Sequence, residues 1–136
     1  MSTTIIAKKK TAVARAIISN GKGEIRVNNV PLSLIRPEIL REKAMEAVAL
    51  VGEKNLSHIN INITVRGGGY VSQLYAVRQA IAKSIVASIT DAEQKENIKK
   101  LYLSVDRQML VADTRVCEAK KFGGRGARAR RQKSYR

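Results

Sequence analysis

Residues 58–66 (HININITVR) alternate without a break, with Ile59, Ile61, Ile63 and Val65 on one side and His58, Asn60, Asn62, Thr64 and Arg66 on the other. Successive side chains of an extended backbone point to opposite faces, so a period of two predicts a β-strand that is dry on one face and wet on the other. Such a strand needs a layer to cover its dry side. Directly after it come Gly67, Gly68 and Gly69, and then Leu74, Val77, Ile81, Ile85 and Ile89 recur at helical spacing. That pattern predicts a long helix from about Tyr70 to just before Asp91, folded back onto the strand.

The remaining segments fit the same two layers. Residues 11–18 (TAVARAII) and 24–30 (EIRVNNV) are β-rich runs separated by Ser19, Asn20, Gly21, Lys22 and Gly23, residues suited to a tight reversal, and they predict a hairpin. In its second arm Ile25 and Val27 alternate with Glu24, Arg26 and Asn28. Pro37 suits a first helical turn, and Leu40, Ala44, Ala47, Val48 and Val51 then share one face before Gly52 ends the run. A shorter helix is expected from about Asp91 to Leu103, burying Ile98, Leu101 and Tyr102, with a short extended piece at residues 109–112. The order strand, strand, helix, strand, helix, helix implies an α+β fold, a two-layer sandwich of a small sheet with helices on one face. The polar face of the sheet is then free. We expect a core over residues 1–112 with a short basic N-terminal arm, and a long basic C-terminal tail over residues 113–136.

Charge says what that free face and tail would meet. The chain has 136 residues and 26 Lys and Arg against 11 Asp and Glu, a formal charge of +15 that repels itself unless a polyanion supplies counter-charge. Eight of those cations lie in residues 120–136 (KKFGGRGARARRQKSYR), which hold no acid, so the chain before them carries only +7. With three glycines and few apolar groups this tail cannot bury enough surface to offset its ordering entropy, and alone it should be disordered. Guanidinium groups bind phosphates bidentately, the glycines allow close backbone approach, and Phe122 and Tyr135 offer stacking surfaces, a combination that favours RNA over duplex DNA.

Other groups have plainer roles open to them. Residues 67–69 follow a strand and precede a helix, where free amides can hold a phosphate; no Gly-Lys-Ser or Gly-Lys-Thr follows, which argues against a nucleotide-binding loop. A tight turn and an RNA-phosphate contact both remain open there, and Arg66 beside it favours RNA. Lys8, Lys9 and Lys10 are either a solvated arm or, with Arg15 and Arg26, one basic patch. Glu38, Glu42 and Glu46 alternate with Arg41 and Lys43 as a solvated helix face does, and His58 has no nucleophile near it in sequence. One cysteine, Cys117, and one histidine allow neither an internal disulfide nor a zinc cluster, and no cofactor is expected. The longest apolar run, residues 47–51, is far too short to span a bilayer, and residues 1–10 lack the apolar stretch of a signal peptide, so a reducing cytosol without membrane partners is expected. An RNA-modifying enzyme would need a nucleophile, paired acids or a metal site, and none is legible. A membrane-active or DNA-compacting peptide would not need the alternating strand and amphipathic helices of a folded core.

At its tail the sequence becomes specific. DRQMLVAD (106–113), KKFGG (120–124) and GARARRQKSYR (126–136) closely resemble the small-subunit ribosomal protein nine family in its archaeal and eukaryotic branch. KKKTAVARA (8–16) and GKGEIRVNN (21–29) resemble that family's opening strands, and VRGGGYVSQLYAVRQAIAKSIV (65–86) its Gly-rich turn and long helix. The resemblance implies a two-layer core bound to the head domain of small-subunit ribosomal RNA, beside neighbouring small-subunit proteins in the cytoplasm, and no catalysis. It also implies a tail threading towards the decoding centre. On this reading Lys133, Ser134, Tyr135 and Arg136 contact the anticodon stem-loop of peptidyl-site transfer RNA. Lys120, Lys121, Arg125, Arg128, Arg130 and Arg131 would lie along ribosomal RNA. Charge and turn placement, apart from the resemblance, add Lys8, Lys9, Lys10, Arg15, Arg26, Arg66, Gly67, Gly68 and Gly69 of the core as candidate RNA contacts. Many relatives carry proline where Arg125 stands and near Thr114 and Ala119, so the tail here is the more basic.

Overall fold

The computed structural model describes residues 3–52 and 55–136, so Met1 and Ser2 at the start of the expected core lie outside it. Five strands, β1 (Thr3–Lys9), β2 (Ala12–Asn20), β3 (Ile25–Val27), β4 (Val30–Pro31) and β5 (Ile59–Arg66), form one sheet in the order β1-β2-β5-β3-β4. Three helices, α1 (Glu38–Ala49), α2 (Tyr70–Ser88) and α3 (Ala92–Val105), complete the α+β fold, with 3-10 turns at Leu32–Leu34 and Arg107–Met109. Asp91 caps α3 by accepting from the Glu93 amide at 3.3 Å.

β5 is central because its dry face is the most apolar, and a strand paired on both edges is the best buried. Ile59, Ile61, Ile63 and Val65 are all buried, as are Ala12, Ala14, Ala16 and Ile18 of β2 beside them. α2 packs across these strands with Leu74, Val77, Ile81 and Ile85. The row of alanines on β2 is what lets a helix approach so closely. α2 also packs against α1 and α3, so Ala76, Ala80 and Ala82, away from its predicted stripe, are buried too. Arg78, only 2 % exposed, lies between Glu46 of α1 (2.9 Å) and Asp106 after α3 (2.6 Å) and ties three helices together. The Tyr102 hydroxyl of α3 donates to the Ala47 carbonyl at 2.6 Å, and burial pushes its pKa upwards.

The expected hairpin of residues 11–18 with 24–30 does not form. β5 inserts between those runs: Ala16 pairs with Ile63 antiparallel, and Val27 pairs with Ile63 parallel on the other side. The glycine-containing link instead passes across the end of β5, where Asn60 Oδ1 accepts from the Lys22 and Glu24 amides at 2.9 and 3.0 Å. A Cβ on Gly21 would collide with the Asn60 side chain, so this link needs glycine. The second run is itself broken, since Asn28 and Asn29 both take positive φ (48° and 67°) and turn β3 into β4.

The true first hairpin is β1 with β2, turning at Lys10 (φ 53°) and Thr11. Residues 3–9 (TTIIAKK) look like an arm in the sequence because Ile6 faces outwards and Lys9 inwards, which breaks the alternation. Two smaller corrections concern the end of the core. Leu101 of α3 is exposed rather than buried, and the extended piece expected at residues 109–112 does not form: Met109 ends the 3-10 turn, Leu110 and Val111 turn and bend, and only Asp113 makes a bridge.

Candidate nucleic-acid interface

The face of the sheet turned away from α2 carries the alternate residues of each strand. Among them are Ile6 and Lys8 on β1, Val13, Arg15 and Ile17 on β2, Thr64 and Arg66 on β5, and Arg26 on β3. Register places Lys8 beside Val13, Val13 beside Arg66, Arg15 between Ile6 and Thr64, and Arg26 beside Asn62. With strands about 4.8 Å apart and about 6.7 Å between alternate residues, the backbones of Lys8, Arg15 and Arg66 lie within about 10 Å of one another. No outward position of β1, β2 or β5 is an acid. Arg26 is partly offset, because Glu24 accepts from it at 2.9 and 3.2 Å, an exposed pair that a phosphate can displace at little cost. The expectation of a purely polar free face needs correcting: Ile6, Val13 and Ile17 are 56, 38 and 37 % exposed and form an apolar strip between the cations.

At one end of the sheet the hairpin turn meets the glycine turn. A Cβ on Gly67, which has φ 76°, would lie 2.6 Å from the Thr11 carbonyl oxygen, so close packing on the hairpin by itself requires this glycine. Gly69 precedes α2, whose first turn holds no acid and has no side-chain cap, so its positive end is uncompensated.

The lysine triplet divides. Lys8 lies on the outer face and Lys10 in the turn, both exposed, whereas the Lys9 ammonium is turned inwards to Asp113 (2.5 Å) and Gln108 (3.1 Å), 5.6 Å from the centre of the Tyr75 ring. Asp113 also accepts from the amide, Nε and Nη2 of Arg115, at 3.0, 3.1 and 2.9 Å. Arg115 first and Lys9 next hold its carboxyl well below the usual carboxylate range.

Beyond this point the chain is mostly exposed, Gly124 being buried in a local loop, and has neither helix nor strand. Glu118 pairs with Arg128 (3.1 Å) and Lys121 (3.7 Å), and the Arg131 amide donates to the Gly123 carbonyl at 3.3 Å, a loose loop within the tail. Lys120, Arg125, Arg130, Arg131, Lys133 and Arg136 have no acidic partner among the described residues. Phe122 and Tyr135 present their rings to solvent, 99 and 88 % exposed. Ser134, next to Tyr135 in the chain, is exposed too.

The ribosomal protein S9/S16 family matches residues 7–136, which takes in both the sheet and the tail to its last residue. The chain belongs to that family. It is 59 % identical to the small ribosomal subunit protein uS9 of Dictyostelium discoideum, over 95 % of this chain and 90 % of that protein. It is 53 % identical to the uS9 protein of Debaryomyces hansenii (99 and 97 % covered) and 51 % identical to uS9A of Saccharomyces cerevisiae (99 and 96 %).

Several hollows open among the described residues. The apolar one between β3, α1 and α2, of about 440 Å³, is lined by Val27, Leu34, Leu40 and Leu74 with Arg36 its one charge. No cluster of metal-ligating side chains occurs among the described residues. Sequence reading missed Ile6, Val13 and Ile17 as surface groups, and Asp113 as the shared partner of Lys9 and Arg115. Only the pairing of β1 with β2 reveals the former. The latter had one sequence signal, an acid two residues before an arginine at the head of a basic tail.

Proposed function

We propose that this chain is a structural constituent of the small ribosomal subunit, in the cytoplasm, bound to ribosomal RNA and flanked by neighbouring small-subunit proteins. It works by recognition and carries no enzymatic activity. The observation that supports this most is the run of Lys8, Arg15 and Arg66 across three strands whose outward positions hold no acid, with the further cations of the tail. On the face, the register-held cations neutralise phosphates while Ile6, Val13 and Ile17 meet riboses and base edges. Along the tail, Lys120, Lys121, Arg125, Arg128, Arg130 and Arg131 follow the RNA backbone of the head, and the segment orders as counterions leave. At the tip, Lys133, Ser134, Tyr135 and Arg136 reach the anticodon stem-loop of peptidyl-site transfer RNA.

Deleting residues 133–136 separates the tip from the rest. The deletion takes only Lys133 and Arg136 from the eight tail cations, so small subunits should assemble normally yet bind peptidyl-site transfer RNA more weakly at moderate salt. Unchanged transfer-RNA affinity in assembled subunits would remove the tip from that site and leave the protein as scaffold.

A further inference from the structure

An acid at the head of a segment made for a polyanion repels its partner unless it has another task, and Asp113 has one. Its backbone pairs in parallel with Lys9 on the edge of β1 that β2 leaves free. Its carboxylate takes the Lys9 ammonium from one side and the fork of Arg115 from the other. Gln108, next to the buried Met109, holds the same ammonium at 3.1 Å. The Lys9 and Asp113 side chains are both largely buried. Core, edge strand and first tail residues are therefore joined at one knot, and Asp113 runs parallel to β1 there. Among the described residues, the ion pairs and side-chain hydrogen bonds of residues 116–136 stay within the tail.

We propose that Lys9 and Asp113 are positioning residues that set the exit direction of the tail, and that Lys9 is not an RNA contact. The inference rests on the tail reading above. A tether of about 70 Å reach, at roughly 3.3 Å per extended residue, concentrates its tip on a target only if its root points there. With the root held, the tail starts from a fixed place and direction beside β1; with it released, its start moves back towards the buried Met109 and that direction is lost.

The sole cysteine, Cys117, is exposed four residues past the knot and takes a spin label without further mutation. In the full-length labelled chain, Asp113→Ala, Asp113→Asn and Lys9→Met should each raise label mobility while the melting of the core hardly moves, and Lys9→Arg should restore wild-type mobility. In small subunits carrying the same unlabelled variants, peptidyl-site transfer-RNA affinity should fall about threefold to tenfold for the first three and recover for Lys9→Arg. Unaltered label mobility in Asp113→Ala overturns the knot. Raised mobility with undiminished affinity overturns the positioning role, provided deletion of residues 133–136 lowers affinity. If that deletion has no effect, the tip reading fails instead, and the label still decides whether the knot exists.

Discussion

The sheet face and the tail are both cationic, but they hold their charges by different means. Lys8, Arg15 and Arg66 stand on three paired strands whose register fixes their spacing before any partner arrives. The eight cations of residues 120–136 have almost nothing fixing them, with Arg128 and Lys121 gathered only by Glu118. A rigid patch gives fewer contacts at little ordering cost, whereas a pliant one gives many, each discounted by the entropy of ordering. One chain that uses both can be docked by its core and then threaded by its tail.

The largest expected effect comes from removing the pliant half. If each of the eight tail cations neutralises one phosphate at roughly 0.7 per contact, deleting residues 120–136 should flatten the salt slope of RNA binding by about 6. Salt titration of the purified chain on head-domain RNA measures this, and a slope change of about 2 or less would mean most tail cations touch no phosphate. Next in size is loss of the scaffold behind the rigid half. Ile63→Ala removes a buried side chain at the centre of the sheet and should cost about 2–5 kcal/mol in chemical denaturation. If the two regions differ as described, heating this variant past its melting point should abolish sheet-face binding while leaving a salt-sensitive, sequence-indifferent affinity.

Replacing Lys8, Arg15 and Arg66 together by Ala should lower the salt slope by about 2–3 without unfolding the protein, because all three are exposed. A slope equal to wild type would assign RNA binding to the tail alone. The smallest effect is one of pH. Since the Asp113 carboxyl is held below its ordinary range, its contribution is present above the unfolded-state value and is lost only as pH falls through the lowered folded value. The groups facing it are Lys9, Arg115 and Gln108, with Lys8, Tyr75 and Arg78 lining the same small hollow, and none of the cations among them loses its charge on acidification. A spin label on Cys117 should therefore be as restricted at pH 4 as at pH 7, and release there would mean the pairing is weaker than its geometry.

The sequence by itself determined much of this protein. Unbroken alternation in residues 58–66 specified β5 and its dry face, the helical recurrence from Leu74 to Ile89 specified α2, and the acid-free run of residues 120–136 specified a polyanion-seeking tail. Each of these is a local property, carried by side-chain period or charge density. What only the tertiary structure decided depends on pairing between distant segments. β5 separates β2 from β3 because a central strand is buried on both edges, and this undid a hairpin that its turn residues favoured. β1 became a strand, with Ile6 outward and Lys9 inward, because β2 offered it an edge and Asp113, 104 residues on, offered Lys9 a partner. Local pattern says what a segment can be, whereas which edge it joins and which charge it meets is settled by competition among all segments for the same buried surface.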